Sequence, residues 1–448
     1  MSKSKDLTKG NITKGLWSFA LPLMLGNVFQ QLYNLADTWV VGKFIGDNAL
    51  AAVGSSYTLM TFLTSVIIGL CLGSSSFTSM AYGKKNTDML KNGLFSSFLI
   101  IGALSIFVMI IFYMIVDLII KLLQIPPEIF DDTKNYLVYV FIGFFAVFIY
   151  NYIANTLRAI GNSVFPLIFL SISVILNIFL DLFFVLVLKC GIIGAAVATV
   201  ISQYVSAVGI LIYYFVAYPE YRIKKENMHF NKNNIKNILS LSGFTCLQQS
   251  VMNFGILMVQ GLVNSFGANV MAAFAVAVKI DTIAYMPVQD FGNAFSVFTA
   301  QNYGAGKNDR IKSGVKQAVI SIIIFCLIIS SLVFVFSENL MQLFVNSSST
   351  EIIKIGAEYL RTEGSFYIGI GILFMLYGYF RAINKPVVSV VLTVLSLGTR
   401  VILAYVLSSI ESIGVFGIWI SIPIGWFIAD FAGIIIGKKK TCKIFKKI

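Results

Sequence analysis

Gly46-Asp47-Asn48-Ala49-Leu50-Ala51-Ala52 returns 221 residues later as Gly267-Ala268-Asn269-Val270-Met271-Ala272-Ala273. The offset then holds without a gap. Thr61 falls on Thr282, Phe77-Thr78 on Phe298-Thr299, Tyr82-Gly83 on Tyr303-Gly304, and Lys91 and Gly93 on Lys312 and Gly314. A second block repeats at an offset of 223, with Arg158-Ala159-Ile160 on Arg381-Ala382-Ile383 and Gly191 and Gly194 on Gly414 and Gly417. Matches held at a fixed spacing mark a duplicated unit, which sets the architecture before any single element is assigned.

The repeated unit is built of long apolar runs. Of the 448 residues, 58% are hydrophobic and only 12% are charged, more apolar surface than one water-soluble core can hide. Runs of about 20 apolar residues fit helices that cross a bilayer, whereas a membrane β-barrel would read as short alternating segments. The sequence predicts spans near 16–41, 52–81, 93–117, 135–157, 164–188, 192–216, 240–265, 271–300, 315–337, 357–380, 387–408 and 414–437. The expected fold is therefore an all-α integral membrane protein of about twelve transmembrane helices. Its domains are a first six-helix lobe (1–217), a linker (218–238) and a second six-helix lobe (239–448). Six spans per half insert both halves with the same orientation. The two bundles are then expected to be related by a pseudo-twofold axis along the membrane normal, with a cleft suited to alternating access.

Charge supports the same reading. The net charge of +13 comes from basic residues gathered between spans and at both ends, as in Lys438-Lys439-Lys440. If both termini are cytoplasmic, the inside segments hold about 25 of the 33 Lys and Arg, the asymmetry that orients helical membrane proteins. The expected location is the inner (plasma) membrane, with the lipid bilayer as the constant partner and no role in nucleic-acid binding. Cys71, Cys190, Cys246, Cys326 and Cys442 are odd in number and widely spaced, which points to free thiols. The polar, basic stretch before the first span does not read as a cleavable signal.

Ionisable groups inside the spans ask for a reason, because hydrocarbon rejects them. Asn27, Gln30, Asn34 and Asp37 recur three and four residues apart, forming one polar stripe on the first helix. Asn177 and Asp181 share a face of the fifth span, Asn151 and Asn155 a face of the fourth, and Thr199 lies in the sixth. Carboxylate, amide and hydroxyl oxygens are the ligands of a hard monovalent cation or a proton. The alternative is a hydrogen-bond network that only holds the bundle. Under the repeat, Asp37 falls on Met258, Asn177 on Arg400 and Asp181 on Ala404, so the acid cluster is expected in the first half alone. The eighth span carries Lys279, Asp281 and Asp290 around Pro287; its acids are candidates either for cationic substrate or for ion pairs with Lys279 or Arg400. Gln30, Tyr33, Asn34, Tyr285 and Met286 are further candidates for contact with substrate.

Several stretches, taken together and in order, carry a family resemblance. They are Pro22 followed by Gln30-Gln31-Leu32-Tyr33-Asn34-Leu35-Ala36-Asp37, then Arg158-Ala159-Ile160-Gly161-Asn162, and Asn177-Ile178-Phe179-Leu180-Asp181. Gly191-Ile192-Ile193-Gly194-Ala195-Ala196 and Ala300-Gln301-Asn302-Tyr303-Gly304-Ala305-Gly306 complete the set. Across its whole length the chain resembles the multidrug and toxic compound extrusion (MATE) family of antiporters. The resemblance implies export of small organic, often cationic, compounds driven by inward Na+ or H+. It also implies a cation site in the first lobe at Asp37, Asn177, Asp181 and Thr199, joined by Asn151; these would be metal ligands if the ion is Na+. No cofactor beyond the coupling ion is expected, and the chain is expected to act as a monomer on small-molecule substrates.

Other classes fit less well. No G-x4-G-K-[ST] loop is present for ATP drive. The single histidine, His229, lies in the linker, and neither H-E-x-x-H nor G-x-S-x-G occurs, which speaks against an enzyme. A flippase or exporter of lipid-linked saccharides, from the same superfamily, is the alternative transporter reading.

Overall fold

In hydrocarbon a backbone must satisfy its own hydrogen bonds, and a helix does so locally. The computed structural model describes residues 4–122 and 125–445, and helices dominate it. Gln124, in the expected outer turn before Pro126, lies outside the described residues, and the side chains of Lys439, Lys440 and Cys442 are not described.

The first half runs α1 (Ile12–Phe44), α2 (Asp47–Gly83), α3 (Thr87–Leu122), α4 (Phe130–Ile142), α5 (Phe144–Ala159), α6 (Val164–Leu182) and α7 (Gly191–Ala217). The second runs α8 (Lys232–Asn264), α9 (Ala268–Gly304), α10 (Asn308–Gln342), α11 (Thr350–Gly364), α12 (Tyr367–Ala382), α13 (Pro386–Ser408) and α14 (Phe416–Phe445). Nine of these are long and apolar enough to cross a membrane, or eleven if two bent pairs each count as one span. With α1, whose polar stripe lowers its apolarity, the described residues give the twelve spans read from the sequence. The difference lies in the fourth and tenth: each expected single helix is two, broken at Gly143 with a 42° bend and at Ser365-Phe366 with a 53° bend.

The duplication is written in the backbone. The helices α1 and α8 both have 33 residues, and α2 and α9 both have 37. Gly46 and Gly267, equivalent under the offset of 221, precede α2 and α9 with φ of 123° and 97°, a region that residues with a Cβ rarely enter. A Cβ on Gly93 would run into the Phe77 ring, and one on Gly314 into the Phe298 ring. The same glycine–phenylalanine contact thus locks α2 to α3 and α9 to α10.

The chain divides into two compact units. The first holds residues up to Leu7 and Leu21–Cys246; the second holds Thr8–Ala20 and residues from Leu247 onward. Each therefore takes part of a helix whose remainder belongs to the other, through α1 and α8. In the first unit, α2 packs on α3, α4 and α5, and α7 on α4, α5 and α6. Its core includes a ladder of rings, with Phe112 stacked on Phe141 at 3.7 Å and Phe141 on Phe144 at 4.6 Å. Residues 218–231 fold onto this unit: Asn92 Nδ2 donates to the carbonyls of Asn227 and His229, and Arg222 donates twice to the Phe215 carbonyl. In the second unit, α9 packs on α10, α11 and α12, and α13 on α14. Outward faces remain apolar, as at Met114, Ile175, Val216 and Phe431, which suits a lipid surround.

Candidate functional site

In the first unit, four helices bring polar side chains to one buried place. The helix α1 supplies Tyr33 and, one turn on, Asp37. From α6 come Asn177 and Asp181, four residues apart on one face, and both are fully buried at 0% exposure. Thr199 comes from α7 and Tyr136 from α4. The Tyr33 hydroxyl donates to Thr199 Oγ1 at 3.2 Å, and Asn177 Nδ2 donates to the same oxygen at 3.4 Å. The Tyr136 hydroxyl lies beside Asp37. Asp37 and Asp181 are close enough for each charge to act on the other.

Four oxygens of this cluster have no donor. Asp37 Oδ1, Asn177 Oδ1 and both carboxylate oxygens of Asp181 accept no hydrogen bond within the described protein. Buried acceptors are normally satisfied, so four bare oxygens on three neighbouring side chains form a ready ligand set for a cation. Immediately past Asp181, α6 continues as a π-turn, Phe183–Val187. Such turns are rare and recur at functional sites.

The remaining sequence candidates are placed as follows. Asn151 is half-buried in α5, and its amide donates to the Val147 carbonyl at 2.9 Å, back along its own helix. Gln30 is exposed, and Asn34 donates to the Tyr57 hydroxyl at 3.4 Å. Tyr285 is half-buried with its ring 6.0 Å from Phe374, and Met286 is half-buried beside it. Asp281 and Asp290 are both buried, at separate places along α9.

Asp281 belongs to a second cluster, in the second unit. The Tyr367 hydroxyl donates to Asp281 Oδ1 at 2.7 Å. Glu363, from α11, lies next to Asp281 and to the Tyr359 hydroxyl. The Arg400 charge acts on both acids. The expectation that buried acids gather in the first half alone is thus corrected: the second unit has its own pair, built from different positions. Sequence reasoning missed Glu363, Tyr136 and Asp430. Glu363 and Asp430 were detectable as carboxylates inside apolar spans, and Tyr136 as the partner of Tyr359 at the offset of 223.

One family model, MatE, matches the chain twice, over residues 22–183 and again over 244–406. The chain belongs to the MatE family. The two matches fall one on each half, as the internal repeat requires. As a MatE protein it is a multi-pass membrane transporter and not an enzyme. The probable multidrug resistance protein YpnP of Bacillus subtilis (strain 168) is 30% identical over 454 residues, covering 99% of each chain. The probable multidrug resistance protein NorM of Thermotoga maritima is 27% identical, over 91% of this chain and 88% of its own. Among solved structures, MATE in complex with MaL6 matches with a TM-score of 0.93 at 24% identity, over 100% of both chains. An outward-facing multidrug resistance MATE family transporter of the MOP superfamily gives 0.92 at 24% identity, over 100% of this chain and 99% of that one. At this identity the likeness shows the fold, and the fold is that of the MATE transporters.

Proposed function

We propose that this MatE transporter is a secondary antiporter that exports small organic, often cationic, compounds in exchange for inward Na+ or H+. The coupling ion binds at Asp37, Asn177, Asp181 and Thr199. The observation that carries this reading is the set of four buried oxygens without donors. Burying two carboxylates together costs several kcal/mol unless a counter-charge or a proton joins them. An ion that arrives and leaves would turn that cost into a switch. One charge falling through 100 mV releases about 2.3 kcal/mol, enough to sustain roughly a fiftyfold gradient of a neutral substrate at 1.4 kcal/mol per tenfold. The multidrug names of YpnP and NorM support the substrate class. In this reading the protein sits in the plasma membrane with both termini in the cytoplasm and works as a monomer.

The test is dye efflux in everted vesicles with Na+ and pH gradients imposed separately. Wild type is expected to export on one of them, and Asp37→Asn and Asp181→Asn to lose about tenfold or more of the gradient-driven rate, a loss of at least about 1.4 kcal/mol of coupling. Normal export by both variants would refute the site.

A further inference from the structure

Asp430, on α14, is 4% exposed, and neither of its carboxylate oxygens accepts a hydrogen bond within the described protein. It stands apart from both clusters described above. The groups that face it from packed helices are few. On α12 the Tyr377 hydroxyl, which Asp430 influences through space, lies beside Thr393 of α13. Arg381, one turn on from Tyr377, is directed to Ser296 and Asn293 instead. On α11 and α13, Glu363 and Arg400 belong to the Asp281 network. Among the described residues, no cation is therefore paired with Asp430.

The surroundings are tight. A Cβ on Gly433, one turn on, would crowd Leu376 and Leu392, and one on Gly425 would meet the Ser396 carbonyl at 2.5 Å. Packing alone does not call for an acid here. The offset of 223 places Ala207, 1% exposed, at the equivalent position in α7. The same scaffold thus accepts a small apolar side chain where α14 carries a carboxyl.

We propose that Asp430 is a proton-binding site, distinct from the first-unit oxygen cluster, that takes up and releases one proton per transport cycle. A lone carboxylate between packed helices is stable there only with a proton on it. The proton joins a carboxylate oxygen when the α12–α13–α14 seam is closed and returns to water when the seam loosens. The hydroxyls nearby are committed to backbone: Thr393 Oγ1 donates to the Ser389 carbonyl and Ser389 Oγ to the Tyr377 carbonyl, so neither proton is offered to Asp430. The proposal rests on the protein being a transporter and not on the first-unit coupling site.

Infrared spectroscopy of the purified full-length protein in proteoliposomes tests it, alongside proton movement measured per dye molecule exported. Asp430→Asn is expected to remove a neutral-carboxyl carbonyl band that Asp37→Asn and Asp181→Asn leave in place, and to lower the proton count by about one per substrate. Asp430→Glu is expected to keep the count and displace the band, and it serves where the Asn variant does not fold. An unchanged band or an unchanged proton count in Asp430→Asn overturns the proposal, as does an undisplaced band in Asp430→Glu. Failure of the first-unit site would appear separately, as normal coupling in Asp37→Asn and Asp181→Asn.

Discussion

Tyr136 and Tyr359 lie 223 residues apart at equivalent points of the repeat, and each has its hydroxyl beside a buried carboxylate, Asp37 in the first unit and Glu363 in the second. The duplicated scaffold has kept the tyrosine and moved the acid. In the first unit the acid comes from α1; in the second it lies one turn along the tyrosine's own helix, α11. The Asn177 position, an amide in the first unit, is Arg400 in the second. Two clusters on one framework thus differ in charge: the first has two acids and, among the described residues, no cation acting on them, and the second lies in the field of Arg400.

Tyr136→Phe should therefore separate binding from folding. The ring is retained and only the hydroxyl beside Asp37 is lost, worth about 1.5–3 kcal/mol where it bonds the charged group. The cation concentration giving half-maximal efflux is expected to change by about ten- to 150-fold, with the amount of protein in the membrane unchanged. Efflux titrated against Na+ and against pH checks this. Tyr359→Phe should leave that midpoint within about twofold, because the acid beside it, Glu363, belongs to the second-unit cluster and not to the proposed ion site.

The Gly93–Phe77 contact makes a stability prediction. Gly93→Ala is expected to cost about 1–3 kcal/mol by overpacking, read as a lower melting temperature in detergent. Phe77→Leu should relieve part of that cost, so that the double variant is more stable than the sum of the two single effects requires. Gly314→Ala and Phe298→Leu should repeat the pattern in the second unit. Strict additivity in both pairs would contradict the contact.

Asn384 offers a backbone test. It holds φ of 59° where its equivalent, Gly161, holds 92°. Asn tolerates the left-handed region better than most residues. Asn384→Ala is expected to cost about 1 kcal/mol, whereas Asn384→Gly should be neutral or nearly so. Thermal unfolding of the two purified variants, compared side by side, distinguishes backbone strain from loss of the side chain.

Orientation can be read from thiols. Cys190 is exposed in the turn before α7, whereas Cys71 and Cys326 are buried. With both termini cytoplasmic, this turn faces outward. A membrane-impermeant maleimide should label Cys190 in intact cells, in a variant whose other cysteines are replaced by alanine. Labelling only in everted vesicles would reverse the topology.

The spans and their number were legible because bilayer thickness sets a length that hydropathy reveals directly. The helix breaks at Gly143 and at Ser365-Phe366 were not, since a bend inside an apolar run leaves the run's composition unchanged. Asp37, Asn177, Asp181 and Thr199 could be grouped from their spacing and from the family resemblance, and the structure gathers them. Tyr136 and Glu363 escaped notice because periodicity shows which residues share one helix face, but not which helices meet. The offset that aligned glycines across the halves carried that missing information, and it would have paired Tyr136 with Tyr359.

The crossing of α1 and α8 between the units bears on how such a protein can be cut. Residues 8–20 complete the second unit, and residues 232–246 complete the first. A gene split in the linker would give two fragments, each missing part of a helix that its own core requires. Neither half is then a self-sufficient module, although the sequence repeats almost end to end.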